Sequence, residues 1–156
     1  MHDTHNYDSL ALALIDLVGM LNSPRQDDIL LAEAGVVLDR ALFPLLVRIG
    51  ASNALNVADL AEQVGRDSST VSRQTAKLEA LGLIRRRAGK TDQRAREAVI
   101  TAEGRRLVQA ITKARRRLLG KLLADWSATD VRTLARLNRR LADAMRIASE
   151  SFVISS

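Results

Sequence analysis

The chain has 156 residues, 47% of them hydrophobic, and a formal net charge of +6, enough for one compact domain with an added oligomerisation element. It has no cysteine, which excludes disulfides, thiolate zinc sites and thiol redox sensing. Only Tyr7, Phe43, Trp126 and Phe152 are aromatic, which argues against binding single-stranded DNA or RNA by base stacking.

Leu10, Leu14, Leu17 and Leu21 recur at steps of four and three, one face of a helix that stops at Ser23-Pro24. Asp16 interrupts this apolar stretch and no basic segment precedes it, so it is neither a signal peptide nor a membrane span, and the cytoplasm is the expected location. Ala34-Gly35 is a break. Asp39 can cap a helix reaching about Ile49, either starting near Pro44 or kinked there, and Gly50 to Leu55 is a loop. Asn56 offers a cap for a short helix with the stripe Val57, Leu60, Ala61 and Val64, closed by Gly65. Asp67 or Ser68 caps the next helix, whose expected buried face is Val71, Thr75, Leu78 and Leu81, with Gly82 at its end.

The period then changes. Leu83 to Ala88 and Arg96 to Thr101 are short strand-like runs around the turn residues Gly89-Lys90-Thr91-Asp92, which predicts a β-hairpin. Thr101 can cap a long helix to about Ala124 with a seam of Leu107, Ile111, Ala114 and Leu118. Ser127 and Asp130 form a capping-box-like start for a last helix bearing Leu134, Leu137, Leu141, Ala144 and Ala148. The fold class is therefore mainly α with a small β-hairpin. An N-terminal helix and connector occupy 1–37, a compact unit 38–101, C-terminal helices 102–150 and a frayed tail 151–156. The flanking stripes exceed what the middle unit can cover, so Leu10, Leu14, Leu17, Leu134, Leu137 and Leu141 are candidates for a homodimer interface.

Charge is polarised along the chain. Residues 1–39 hold seven acids and one base, leaving 23 of the 24 bases and 11 of the 18 acids, a net +12, to the remainder. The basic part contains a helix pair in which Asn56 to Val64 would brace Asp67 to Leu81, the arrangement of a helix-turn-helix. With Val71, Leu78 and Leu81 inward, Ser69, Thr70, Arg73, Gln74 and Lys77 face out. Arg and Gln can pair bidentately with guanine and adenine edges, and Ser68, Ser69 and the helix N-terminus can hold a phosphate. A polar helix face is common on any surface. What changes the balance is the hairpin behind it, with Arg85, Arg86, Arg87, Lys90, Arg94 and Arg96 against Asp92 and Glu97. A basic hairpin after a reader helix is a wing, and arginine suits the narrow minor groove.

The stretch from Asn56 to Gly104 resembles the DNA-binding core of the MarR (multiple antibiotic resistance regulator) family. The matching pieces are Leu60-Ala61, Ser69 to Arg73, Leu78-Glu79, Gly82-Leu83, Asp92-x-Arg94-Ala95 and Thr101-x-x-Gly104. The resemblance implies a winged helix-turn-helix dimer, held by its N- and C-terminal helices, on pseudo-palindromic double-stranded DNA. It also implies a repressor released by a small aromatic or anionic effector, Arg94 as the wing arginine and Asp92 as its orienting acid. Pro44 and the acidic first segment depart from a common pattern of the family where the ligand cleft would lie. On the residues alone, a nonspecific basic architectural DNA-binding protein is the alternative, and an adaptor reusing the fold is another.

No enzyme is expected. Gly89-Lys90-Thr91 lacks the glycine a phosphate-binding loop needs, since Ile84 stands there. His2 and His5 are the only histidines, so neither a catalytic triad nor a metal site is expected, and no cofactor is implied. The cations of the long helix, Arg105, Arg106, Lys113, Arg115 to Arg117 and Lys121, are expected to be a solvated face rather than a phosphate contact.

Overall fold

The computed structural model describes residues 4–90 and 96–154, with side chains as far as Ser151. Among the described residues, seven helices and three short strands follow in the order α1 (Thr4–Leu21), α2 (Pro24–Ala34), α3 (Phe43–Ala51), β1 (Leu55–Asn56), α4 (Val57–Val64), α5 (Ser68–Ala80), β2 (Ile84–Ala88), β3 (Arg96–Ile100), α6 (Ala102–Leu122) and α7 (Ala128–Ile154). Two compact units divide at Arg116/Arg117.

In the first unit the core is built by α3, α4, α5 and the sheet. Leu45, Leu46, Ile49, Leu60, Val71, Leu78 and Ile84 are fully buried and form one cluster. A second, smaller cluster joins Leu31 of α2, Phe43 of α3 and Ile111 of α6. The sheet is antiparallel in the order β1-β3-β2, with Leu55 opposite Ala98 and Ile84 opposite Ile100. The strand β1 has only two residues, too few for the alternation that reveals a strand, which is why the sequence reads as loop there.

Capping sets the boundaries. Pro44 lies in the first turn of α3, where its missing N–H costs nothing, so the helix starts there and is not kinked. Asp39 instead accepts from Ala41 N at 2.9 Å in the preceding turn. Asn56 Oδ1 accepts from Asp59 N at 2.8 Å and starts α4. Gly82 takes φ +73°, and Leu83 N reaches back to Leu78 O at 3.0 Å, closing α5.

Leu81 departs from expectation: it is 56% exposed, whereas Val71, Thr75 and Leu78 are buried. Ten residues after Val71, Leu81 is rotated well off the buried axis, and the helix has already ended at Ala80. It lies at a shallow groove with Leu31, Val36, Leu38 and Leu42.

The start of α6 is fastened to the end of α5. Thr101 Oγ1 accepts from Gly104 N at 3.1 Å and donates to Gly82 O at 2.7 Å, while Thr101 N donates to Leu83 O at 3.1 Å. Gly104 is buried against Leu83, and a Cβ there would collide with the Leu83 carbonyl oxygen. Along α6, Ile111 and Ala114 are buried and Leu107 and Leu118 half-buried.

In the second unit Ser127 Oγ accepts from Asp130 N at 3.0 Å and caps α7. That helix continues to Ile154 rather than fraying from Ser151.

Gly104→Ala is expected to lower the stability of the folded chain by about 1–3 kcal/mol, because the new methyl group meets backbone that cannot rotate away. Chemical denaturation of the two proteins measures the difference.

Candidate nucleic-acid interface

The candidate interface is built on α5. Asp67, its N-cap, accepts from Thr70 N at 2.8 Å, from Thr70 Oγ1 at 2.6 Å and from Ser69 Oγ at 2.6 Å. These bonds, the two hydroxyls foremost, hold the carboxyl far below the usual carboxylate range. A depressed pKa means the charged cap is present at all ordinary pH values and is lost only in strong acid. The acceptor-only carboxylate also fixes the direction of the hydroxyls, which donate to it and turn their lone pairs elsewhere. Arg73 Nη2 uses one of these, donating to Thr70 Oγ1 at 3.2 Å.

Ser68, Ser69, Arg73 and Lys77 are exposed, whereas Thr70 and Gln74 are half-buried at the edge of the helix. Gln74 Oε1 accepts from Arg66 Nη1 at 2.9 Å, and the same nitrogen donates to Ala41 O at 2.7 Å. Arg66 thus ties α5 to the turn that leads into α3.

The opposite edge of α5 is held by Arg86 of β2. Its Nη2 donates to Thr75 Oγ1 at 2.9 Å and to Ser72 O at 3.3 Å, and its Nε lies 3.1 Å from Glu79 Oε2. Thr75 is fully buried, and its hydroxyl donates to Ser72 O at 2.9 Å. Arg86 is therefore turned toward α5 rather than presented outward with Arg85. Its position was readable: two residues after the buried Ile84, it shares the inner face of the strand. Arg66 had no such signal, because it sits in the turn between two helices.

On the hairpin, Arg87 is half-buried and pairs with Glu97 across the strands, Nε to Oε2 at 3.4 Å. Lys90 is exposed. Asp92 and Arg94 lie outside the described residues. Of the candidate interface leucines in the flanking helices, Leu10, Leu17, Leu134 and Leu137 are exposed, and Leu14 and Leu141 half-buried. The long-helix cations Arg105, Arg106, Lys113, Arg115, Arg116, Arg117 and Lys121 are all exposed, and Arg106 pairs with Glu103 at 2.6 Å. Among the described residues no group of acids and histidines could hold a metal ion, and no helix is long and apolar enough to cross a membrane.

Comparison with known proteins places this geometry. The MarR family model matches residues 38–95, from the approach to α3 through α5 and β2, and ends before β3. The HTH-type transcriptional regulator YxaD of Bacillus subtilis (strain 168), itself uncharacterized, is 33% identical over 104 residues, spanning 67% of this chain and 73% of that protein. YdgJ of the same organism, another uncharacterized HTH-type transcriptional regulator, is 28% identical over 102 residues, 65% of this chain and 62% of its own length. Among solved structures, a MarR family protein from Bacillus stearothermophilus superposes with a TM-score of 0.79 over 94% of this chain and 99% of its own. At 18% identity that likeness speaks for the fold, a mainly helical winged helix with a small three-stranded antiparallel sheet. On the sequence matches, with the fold in agreement, the chain belongs to the MarR family of winged helix-turn-helix, DNA-binding transcriptional regulators, which are not enzymes.

Proposed function

We propose that the protein is a homodimeric, sequence-specific repressor that binds a pseudo-palindromic operator in the cytoplasm and is released by a small organic effector. The observation that carries the DNA reading is the outer face of α5. There Ser69, Arg73 and Lys77 are exposed, beside a hairpin that carries Arg85, Lys90 and Arg96 on its surface. In this reading α5 enters the major groove and Arg73 meets base edges. Lys77, Arg87 and Lys90 approach phosphates, Ser68 and Ser69 flank them, and Arg94, set by Asp92, reaches the minor groove.

Dimerisation is supported by apolar surface that the chain leaves open. Leu10, Leu17, Leu134 and Leu137 are between 38% and 50% exposed, and Ile15 and Met145 at least 60%. Single exposed leucines are ordinary, but runs along helix faces are the mark of a surface meant to be covered. Two copies related by a two-fold axis would present two α5 helices to successive major grooves, about 10 base pairs apart.

The effector reading rests on the groove beside Leu81. Its apolar lining suits an aromatic body, while Asp28 and Asp39 at its side disfavour a strongly anionic one. Arg40 offsets part of that charge, 3.7 Å from Asp28. Occupation of this groove would press on the end of α5 and on the turn that holds Arg66.

The alternative, a nonspecific architectural DNA-binding protein, shares the charge but has no use for a rigid reader face. Selecting bound sequences from a random duplex library separates the two, since only the regulator returns a consensus.

Against the selected operator, Arg73→Ala is expected to cost about 1–3 kcal/mol per half-site and to relax preference at one position. Lys90→Ala is expected to weaken operator and scrambled duplex alike and to reduce the salt slope by about one unit per lost contact. Titration of both duplexes at two salt concentrations reads this, and an equal loss for Arg73→Ala on both would remove its base-reading role.

Replacing Leu134 and Leu137 together by glutamate is expected to lower dimer content and thermal stability in parallel. Light scattering at micromolar concentration checks the parent protein first, and a monodisperse monomer would defeat the dimer.

Peroxide at doses that oxidise thiols, and separately a chelator, are expected to leave operator binding intact, since there is no cysteine to respond and the sensor proposed is organic. Release of DNA by either one, followed by mobility shift, contradicts this.

A further inference from the structure

Gln74 stands on the recognition helix one residue after Arg73, and from sequence it is a candidate to pair with adenine. That pairing uses both ends of the amide, the oxygen accepting from adenine N6 and the nitrogen donating to N7. The structure commits one end. Gln74 Oε1 accepts from Arg66 Nη1 at 2.9 Å, and Arg66 is itself pinned by the Ala41 carbonyl at 2.7 Å. A guanidinium has five donors and no acceptor, so the amide atom facing it must be the oxygen. The orientation of Gln74 is thus dictated by its partner: the oxygen is turned toward Arg66 with one of its two lone pairs in use, and the end of the amide turned away from Arg66 is the NH2 group.

We infer that Arg66 is a specificity-positioning residue: by turning the Gln74 oxygen toward itself and the α3 turn, it makes the NH2 group the end of the amide that leads into the groove, which favours guanine over adenine at one position of each half-site. Guanine presents two adjacent acceptors, O6 and N7, to the major groove. Adenine presents N7 beside an N6 donor, which would face the Gln74 NH2 group with nothing to accept it. Arg66 need not touch DNA for this. Its anchorage to the α3 turn keeps it in place, and Gln74 is half-buried along the same edge, so rotation of the amide would break a bond in a partly dry setting. The inference rests on the proposal that α5 reads the major groove.

The test is a binding series on the full-length protein. Each position of the selected operator is varied in turn, and the thermal midpoint of every variant is recorded alongside. Wild type is expected to prefer guanine over adenine at a position where Gln74→Ala shows no preference. Arg66→Met frees the amide and is expected to raise affinity for the adenine duplex relative to guanine by about tenfold, leaving the position read by Arg73 unchanged. A preserved guanine preference in Arg66→Met overturns the inference, as does a loss that is uniform across duplexes.

Should Arg66→Met fold poorly, Gln74→Glu carries the same question. A carboxylate keeps the bond to Arg66, now charge-assisted, but has no donor. Its thermal midpoint is expected to match or exceed wild type, with preference switched from guanine to cytosine, whose N4 donates. Retained guanine preference in a well-folded Gln74→Glu overturns the inference too. Arg73→Ala separates the two levels of failure. If it alters the consensus while the Arg66 and Gln74 variants do not, only the positioning role falls. If no α5 variant alters the consensus, the groove-reading proposal falls with it.

Discussion

The hydroxyl of Thr75 is the fixed point around which the reading unit is organised. It is completely buried on the inner face of α5, between Val71 and Leu78. A hydroxyl in such a place costs free energy unless it is hydrogen-bonded. It donates to Ser72 O and accepts from Arg86, and Arg86 continues to Glu79. One guanidinium thereby joins three consecutive turns of α5 to β2. Because side chains alternate along a strand, the inward position of Arg86 goes with that of Ile84 and sets which residues of β2 face away from the core. A one-residue slip of β2 would present Arg85 to Thr75 and take Ile84 out of the core, so packing and hydrogen bonding demand the same register.

On its other edge α5 is held through Gln74 by Arg66, and at its end through Gly82 and Leu83 by the start of α6. A helix gripped on both edges and at its C-terminal end leaves only its outer face and N-terminal turn to a partner. Rigid support of this kind suits the base-reading role proposed for α5, because little conformational freedom has to be surrendered on binding. The half-buried state of Thr70 and Gln74 follows directly: they belong to the supports as much as to the face.

Where the chain writes its structure in local chemistry, the sequence could be read. Asn56 and Asp67 cap the helices that sequence places behind them, and Gly82 ends α5 at a positive φ. The period change after Gly82 marks the hairpin, and residues 38–95 carry enough of the family pattern to be recognised. What failed to show was of longer range. Leu81 looks like a fourth core residue only if α5 is extended past its cap. The strand β1 exists because Leu55 and Asn56 meet β3, not because two residues have a pattern. For Arg86, alternation from Ile84 gives the inner face, but its partners Ser72 and Thr75, fourteen and eleven residues back, leave no local trace. Arg66 and Gln74 lie eight residues apart across a helix boundary, a spacing without periodic meaning, so their bond had no trace in the sequence.

Charge near the start of α5 carries the same lesson one step further. A helix N-terminus followed by serines is an attractive place for a phosphate. Here Asp67 is already an anion in that place. Its carboxylate takes the Thr70 N–H and the hydroxyl protons of Ser69 and Thr70, and its charge opposes any second anion. A phosphate approaching this turn therefore meets hydroxyl lone pairs first. To be bound through the Ser69 hydroxyl it must draw that proton away from Asp67, at the expense of their 2.6 Å bond. Arg73 lies on the same column, one turn on, against the Thr70 oxygen. Asp67, Thr70 and Arg73 thus form a chain in which each donor faces the acceptor before it, with the Arg73 guanidinium reaching back one turn to Thr70. The favourable site for negative charge is accordingly shifted along the helix, from the N-terminal amides toward Arg73 and Lys77, where the exposed face lies.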